Sequence, residues 1–130
     1  MIEINNLTTL TVDKRFLKRV VKKVLKGEKK KEAGLSIALV NSGEIKKLNK
    51  KYRKKNKITD VLSFDNGLNE IVVCPQEIKK NAKKYNSTFK KELSRVLIHG
   101  ILHLLGYEHE KTKIEAKKME KKEEYYLSKI

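Results

Sequence analysis

The histidines of the chain all lie in one short stretch, at positions 99, 103 and 109. His99 and His103 are four residues apart, so on a helix their rings project from the same face, one turn from each other. That spacing lets two imidazoles reach one metal ion at roughly 2.0–2.1 Å. Gly106 can end the helix and let the chain turn back, bringing His109 to the same point. The pattern predicts a metal site formed by His99, His103 and His109.

The predicted site has the composition of a catalytic zinc centre. A single histidine in an apolar helix is usually a hydrogen-bonded core residue, but several unpaired imidazoles would be costly to bury, and ligation would satisfy them. Three histidines leave the fourth position of zinc to water, as in catalytic sites. Cys74 is a weaker candidate ligand, since a lone cysteine ending a strand is typically a small buried hydrophobe. We expect one Zn²⁺, with other divalent transition metals as alternatives.

Gly100 separates this motif from that of the zinc proteases with the same histidine spacing. Those metzincins carry a glutamate directly after the first histidine as general base. Gly100 cannot accept a proton, so proteolysis loses most of its support. Another zinc hydrolase acting on a small substrate stays open as an alternative, as does a non-catalytic RNA-binding module with structural zinc.

The charge balance favours an anionic partner without proving one. The chain has 32 Lys and Arg residues against 16 Asp and Glu, a formal net charge of +16. Such a field attracts polyanions, but the basic residues are spread throughout the sequence and equally suit a solubilising surface. The lone Cys74 favours a reducing cytoplasm. The N-terminus lacks a signal-peptide pattern, and the apolar runs are shorter than a membrane span. We therefore expect a soluble cytoplasmic protein without membrane contact.

Hydrophobic periodicity and turn residues predict an α+β domain spanning residues 1–130. Strands are expected at 2–12, 35–40, 59–64 and 70–74, with the 35–40 strand buried on both faces and a hairpin turn at 65–67. Helices are expected at 16–25, from a cap at 41 through 52, at 75–85, at 89–105 and from a cap at 112 to 130. Tyr52, Tyr85 and Ile130 are expected to face inward.

The helix at 89–105 is expected to form the centre of the domain. It is apolar almost all round over 96–105, which is typical of a buried helix. The predicted fold is a small mixed four-stranded sheet packed with about five helices around this buried central helix, which carries the metal motif.

Two sequence blocks resemble the YbeY-type rRNA maturation factors. The family signature H-G-x-L-H-L-x-G-Y-D-H matches residues 99–109, with Glu108 in place of Asp. A second signature, N-x-x-Y-R followed by P-T-D-V-L-S-F, matches 49–53 and 58–64, with Ile58 in place of Pro. The resemblance covers the whole chain in order. The usual Gly-Asp at 69–70 reads Asn-Glu, and the loop after Phe64 is shorter than usual, so one cleft wall departs from the family pattern.

The resemblance implies a single-strand-specific, zinc-dependent endoribonuclease. Its expected role is rRNA maturation, including the 16S 3′ end, and ribosome quality control. Its partners would be single-stranded rRNA and the ribosome or ribosomal subunit proteins. The oligomeric state stays open.

The resemblance also assigns roles to residues. His99, His103 and His109 would hold the metal, with His99 and Arg53 in the catalytic site and Arg53, Lys54 and Lys55 on the RNA. A guanidinium can bind phosphate bidentately and offset charge that builds up during cleavage. The roles of two further pairs of residues stay open. Asp60 and Glu108 are candidates for the general base, and Tyr52 and Phe64 either stack on RNA bases or pack in the core.

Overall fold

A computed structural model describes residues 1–64, 69–108 and 112–130. These residues form the predicted α+β fold, with four strands and five helices. In chain order the elements are β1 (Ile2–Asn6), α1 (Lys14–Gly27), β2 (Leu35–Leu39), α2 (Ser42–Arg53), β3 (Val61–Phe64), β4 (Glu70–Val73), α3 (Pro75–Lys84), α4 (Phe89–Leu104) and α5 (Lys113–Ser128).

The sheet is mixed, in the strand order β1-β2-β4-β3. β1, β2 and β4 run parallel, and β3 pairs antiparallel with β4, with Val61 opposite Val73. The antiparallel pair confirms the predicted hairpin, while its predicted turn at 65–67 lies outside the described residues. β3 is therefore an edge strand, and its residues alternate between the two faces of the sheet.

Helices cover the two faces of the sheet unequally. On one face Leu35, Ile37 and Leu39 are buried in the core that includes α1 and α4. On the other face Ala38 is only partly buried and packs in a smaller cluster with Ile45 of α2. The prediction that this strand is buried on both faces is thus correct for one face only, because α2 alone covers the second.

α4 forms the centre of the domain, as predicted. It contacts α1, α3 and α5 as well as β3 and β4, and it is buried along most of its length. No helix in the described part of the chain is long and apolar enough to cross a bilayer.

Local capping sets the helix boundaries. Pro75 occupies the first turn of α3, where its missing N–H costs no hydrogen bond. Gly106 follows α4 with a φ of 101°, a left-handed conformation that glycine adopts without strain. Four helices have an N-cap side chain that accepts a hydrogen bond from a backbone N–H, and these caps are Asp13, Asn41, Thr88 and Thr112.

The first strand is shorter than the predicted 2–12. The Asn6 carboxamide accepts hydrogen bonds from the Thr8 N–H at 3.0 Å and hydroxyl at 2.6 Å, and its amide donates to the Leu10 carbonyl at 2.7 Å. These local bonds replace the strand ladder, so β1 ends at Asn6 despite the high β-propensity beyond it. Likewise β3 begins at Val61 rather than at 59.

Three residues expected to face inward are exposed. Tyr52 is 55% exposed, Tyr85 63% and Ile130 42%. Tyr85 is the residue just beyond α3, and Ile130 follows the end of α5, so neither continues the buried stripe of its helix. Tyr52 lies edge-on to Phe64, with ring centroids 5.4 Å apart, at the margin of the sheet.

Candidate metal centre

One face of α4 carries the predicted metal-binding histidines. The rings of His99 and His103 lie side by side, with centroids 4.8 Å apart and planes at 78°. Both side chains are partly buried. The third predicted ligand, His109, lies outside the described residues, and within the described ranges no three His, Cys, Asp or Glu side chains come together as a metal cluster. The structure thus brings together the two helical histidines of the predicted site.

A carboxylate on α5 orients the first histidine. His99 Nδ1 lies 2.5 Å from Glu123 Oε1, and the two side chains are 26% and 19% exposed. Histidines that ligate metals typically hold a carboxylate through the second ring nitrogen, which fixes the ring and raises its basicity. Because Glu123 engages Nδ1, ligation of a metal by His99 would use Nε2. This arrangement fits a zinc ligand.

Sequence reasoning missed Glu123. It is 24 residues from His99, and no motif joins the two positions. A signal was present in the sequence, since Glu123 lies one turn after the apolar Met119, which is fully buried. A carboxylate on the inner face of a helix that packs on the histidine helix is a candidate partner for the histidines.

Gly100 packs directly against the sheet. Its carbonyl accepts a hydrogen bond from Ser63 Oγ at 3.1 Å. A Cβ at this position would lie 3.2 Å from Ser63 Oγ and 3.4 Å from two methyl carbons of Ile71. A glutamate here would therefore meet β3 and β4 in place of a substrate. The packing of Gly100 against the sheet thus adds to the sequence argument against the protease mechanism.

His99 and His103 line a polar cleft of about 450 Å³. It lies where α4 meets β3 and the segments flanking α2 and β3. Its described lining residues are Arg53, Thr59, Asp60, Val61, Ser63, Arg95, Val96, His99, His103, Leu104 and Glu108. The cleft therefore joins both sequence blocks that resemble the family, although they are far apart in the chain.

The predicted phosphate-binding residues divide into two groups. Arg53 is the last residue of α2 and lines the cleft. Lys54 and Lys55 follow it and are exposed, and neither is among the described lining residues. Lys54 ends the helix in a left-handed conformation with a φ of 56°. Arg53 thus lines the same cleft as the histidines, and the two lysines follow it on the exposed surface.

Both candidate bases line the cleft, whereas Cys74 does not. Asp60 accepts a hydrogen bond from Asn81 Nδ2 at 3.5 Å, and Glu108 is partly buried. Cys74 is fully buried in the core cluster that contains Ile45, so it is placed as a small hydrophobe.

A buried carboxylate anchors the segment that leads from α4 towards His109. Glu28 Oε1 accepts a hydrogen bond from the Tyr107 hydroxyl at 2.6 Å. Its Oε2 accepts from the Tyr126 hydroxyl and from Lys122 Nζ, the latter at 3.2 Å. Burial alone would raise the pKa of Glu28, but these hydrogen bonds outweigh it and lower that pKa. Burial and the bond to Glu28 raise the pKa of Tyr107 to about 12.

The α+β fold and the paired histidines on its central helix match the family that the sequence blocks resemble. The chain belongs to the Endoribonuclease YbeY family, whose pattern matches residues 3–130. The endoribonuclease YbeY of Thermodesulfovibrio yellowstonii is 47% identical over 105 residues, covering 74% of this chain and 66% of that protein. The endoribonuclease YbeY of Thermosipho melanesiensis is 39% identical over 126 residues, covering 94% and 91%.

A solved structure shares the fold. The solution structure of TM1509 from Thermotoga maritima is similar to this chain with a TM-score of 0.71 and 35% sequence identity. The similarity covers 98% of this chain and 87% of that one. The fold and the family therefore agree with the expectation drawn from the two sequence blocks.

Proposed function

We propose that this chain is a single-strand-specific, zinc-dependent endoribonuclease that acts in rRNA maturation, including the 16S 3′ end, and in ribosome quality control. One observation carries the proposal. The histidine pair, oriented by Glu123, opens into the cleft that holds Arg53, in a chain of the Endoribonuclease YbeY family. The two relatives described above are named endoribonucleases, and RNA is a polyanion that a net charge of +16 attracts.

His99 and His103, with His109 as the predicted third ligand, would hold one Zn²⁺. A zinc ion held there supplies Lewis acidity that offsets negative charge on phosphoryl oxygens. The described side chains of the cleft supply little net charge of their own. Arg53 and Arg95 are balanced by Asp60 and Glu108. A metal ion held by these histidines would therefore add net positive charge that helps to attract a phosphodiester into the cleft.

Arg53 would bind the phosphodiester that is cleaved. Its guanidinium presents a planar set of N–H donors that matches two phosphate oxygens. Charge builds on those oxygens during cleavage, so the interaction strengthens in the transition state and accelerates the reaction. Asp60 and Glu108 are the carboxylates placed to accept or deliver a proton among the described lining residues.

The size of the cleft favours single strands. A cleft of about 450 Å³ has the volume of a small-molecule pocket, which is enough for about one unstacked nucleotide at a time. A duplex keeps its bases stacked and its backbone on a rigid helix, and cannot enter as a separated strand. The exposed Lys54 and Lys55, next to Arg53, would hold the strand as it leaves the cleft.

The proposed setting is cytoplasmic, with the ribosome or its subunit proteins as partners. The buried, unpaired Cys74 suits a reducing compartment. The main competing function is a non-catalytic zinc-containing assembly factor, which would bind the same RNA without cutting it.

Arg53→Ala tests the proposal. Zinc-loaded wild type should cut a labelled single-stranded 16S 3′ fragment and leave the same sequence intact in a duplex. Arg53→Ala should lower kcat/KM by roughly 100-fold, the effect of removing one transition-state donor. Thermal stability should hardly change, since Arg53 is exposed. Lys47→Ala, an exposed lysine on the same helix, should cut normally.

Two results would oppose the proposal. Tight RNA binding by the wild type with no cleavage would favour the assembly factor. Equal cleavage by the Arg53 and Lys47 variants would remove Arg53 from the reaction.

A further inference from the structure

Arg95 lies on the histidine-bearing face of α4. It precedes His99 by four residues, as His99 precedes His103, so the three side chains lie in one row along the helix. Arg95 lines the cleft together with both histidines and has a half-exposed side chain, at 45%. Neither sequence block that resembles the family includes position 95.

A buried carboxylate holds the guanidinium of Arg95 in place. Glu92 is 4% exposed, and its Oε1 lies 2.7 Å from Arg95 Nε and 2.5 Å from Nη2. Its Oε2 lies 3.2 Å from Nε. This two-point contact fixes the plane of the guanidinium, which a surface ion pair with one contact does not do. Arg95 is thus preorganised, so less conformational entropy is lost when it binds a ligand.

The bond to Glu92 uses only one edge of the guanidinium. Arginine has five N–H donors, and the contacts to Glu92 involve those on Nε and Nη2. Among the described residues, Glu92 is the hydrogen-bond acceptor recorded for this side chain. The hydrogen bond to Glu92 raises the pKa of Arg95, with further contributions from the nearby Asp60 and Glu123 carboxylates. The charge is therefore permanent, and the other N–H donors are available at the cleft.

We propose that Arg95 forms a second phosphate-binding site in the cleft, which takes a phosphodiester next to the one that is cleaved, with Glu92 as its positioning residue. This inference rests on the proposed function. Arg95 and His99 are about 6 Å apart along the helix axis, from four residues at 1.5 Å each. Arg95 thus lies about one helical turn from the predicted metal ligands on α4, whereas Arg53 lies at the end of α2. Two arginines on different elements would fix the direction of the strand across the metal site.

The first test compares steady-state cleavage by three variants. Arg95→Gln should raise KM for a single-stranded oligonucleotide by roughly tenfold, because a charge-assisted hydrogen bond to phosphate is lost. Its kcat should change less than twofold, since the scissile phosphate is not contacted. Arg95→Lys should recover only part of the affinity, because an ammonium lacks the planar fork. Arg15→Gln, an exposed arginine on α1, removes the same charge and should leave KM unchanged.

The second test locates the contact. Oligonucleotides with one neutral methylphosphonate linkage are compared at each position around the cleavage site. At the linkage that Arg95 contacts, the substitution should raise the wild-type KM by roughly the same tenfold factor and leave the KM of Arg95→Gln unchanged. Equal effects on wild type and variant at every linkage would overturn the inference, as would an unchanged KM for Arg95→Gln.

A purely structural role for Arg95 makes a different prediction. If the arginine serves only to neutralise Glu92, Arg95→Gln should lower thermal stability and the Glu92→Gln/Arg95→Gln double variant should restore it. In that case both variants should have the KM of the wild type. A raised KM in a double variant of wild-type stability supports the phosphate site. Cleavage by the wild type tests the proposed function separately. If the wild type does not cut RNA, the proposed function is wrong. If the wild type cuts RNA and both Arg95→Gln and the double variant have a normal KM, only the phosphate site at Arg95 is wrong.

Discussion

The anchor at Glu28 gives a prediction whose size can be worked from the structure. Its carboxylate is 9% exposed and accepts hydrogen bonds from Tyr107, Tyr126 and Lys122. Glu28→Gln removes the charge and turns one acceptor oxygen into an amide donor. One tyrosine hydroxyl can then donate to the amide oxygen while the other accepts from the amide N–H, so each bond falls from the charged to the neutral class, a loss of about 1 kcal/mol each. The bond from the partly exposed Lys122 adds little. We expect a loss of about 2 kcal/mol.

That loss corresponds to a measurable change in melting temperature. Unfolding entropy near 60 °C is about 2.1 cal/mol/K per residue, or about 0.27 kcal/mol/K for 130 residues. A loss of about 2 kcal/mol therefore lowers Tm by about 7 °C. The assay is thermal and urea unfolding of the metal-free protein, with Glu32→Gln as an exposed control of equal charge change.

The same variant should show a defined pH dependence. The pKa of Glu28 is lowered below its ordinary value of 4.5, so its stabilisation is present above that value and is lost as pH falls through the folded-state pKa. The gap between wild type and Glu28→Gln should be full at neutral pH and narrow at a pH of about 3. A gap that is equal at both pH values, or a Glu32→Gln variant that is equally destabilised, would refute the reasoning.

Three further predictions follow from the packing around α4. Gly100→Ala should lower the free energy of unfolding by up to about 2 kcal/mol, because the overpacking cost of a Cβ 3.2 Å from Ser63 Oγ exceeds the roughly 1 kcal/mol that alanine gains in helix propensity; unchanged or increased stability in urea would contradict this close packing. Glu123→Gln should raise the Kd for zinc by roughly 10- to 100-fold in a chelator competition, while the exposed neighbour Glu124→Gln should bind normally; equal Kd values would deny the orienting role of Glu123. Zinc at 100 times its Kd should stabilise the wild type by about 2.7 kcal/mol; His103→Ala, tested at the same zinc concentration, should gain much less.

The elements that could be predicted from sequence are those fixed by local chemistry. The caps at Asn41 and Thr112, the proline that opens α3 and the glycine after α4 each act within a few residues. The central position of α4 could also be predicted from its own composition, since a helix that is apolar all round has no polar face for contact with solvent.

The features that could not be predicted depend on what lies opposite a residue in space. Tyr52 has the spacing of an inner helix position, yet α2 ends where the sheet margin leaves it exposed. β1 ends early because the Asn6 side chain competes for the backbone. β-propensity alone does not reveal that competition.

The candidate site likewise has one part that could be predicted from sequence and another that could not. The spacing of His99 and His103 on one helix determines that their rings are adjacent, so that part was available from sequence. Glu123 and Glu28 act across 24 and 79 residues of sequence, on His99 and Tyr107 respectively. Such pairings are set by how α5 and α1 pack on α4, and a single sequence does not encode their register in any short motif.

The central claim is that the histidine pair on α4 holds a metal on which RNA cleavage depends. The most direct measurement determines zinc content and cleavage of a labelled single-stranded rRNA fragment for wild type and His103→Ala, prepared in parallel and both shown to be folded. We expect about one zinc ion per chain and RNA cleavage for the wild type, and neither for the variant. Equal cleavage by the two proteins, or cleavage by wild type stripped of metal, would contradict it.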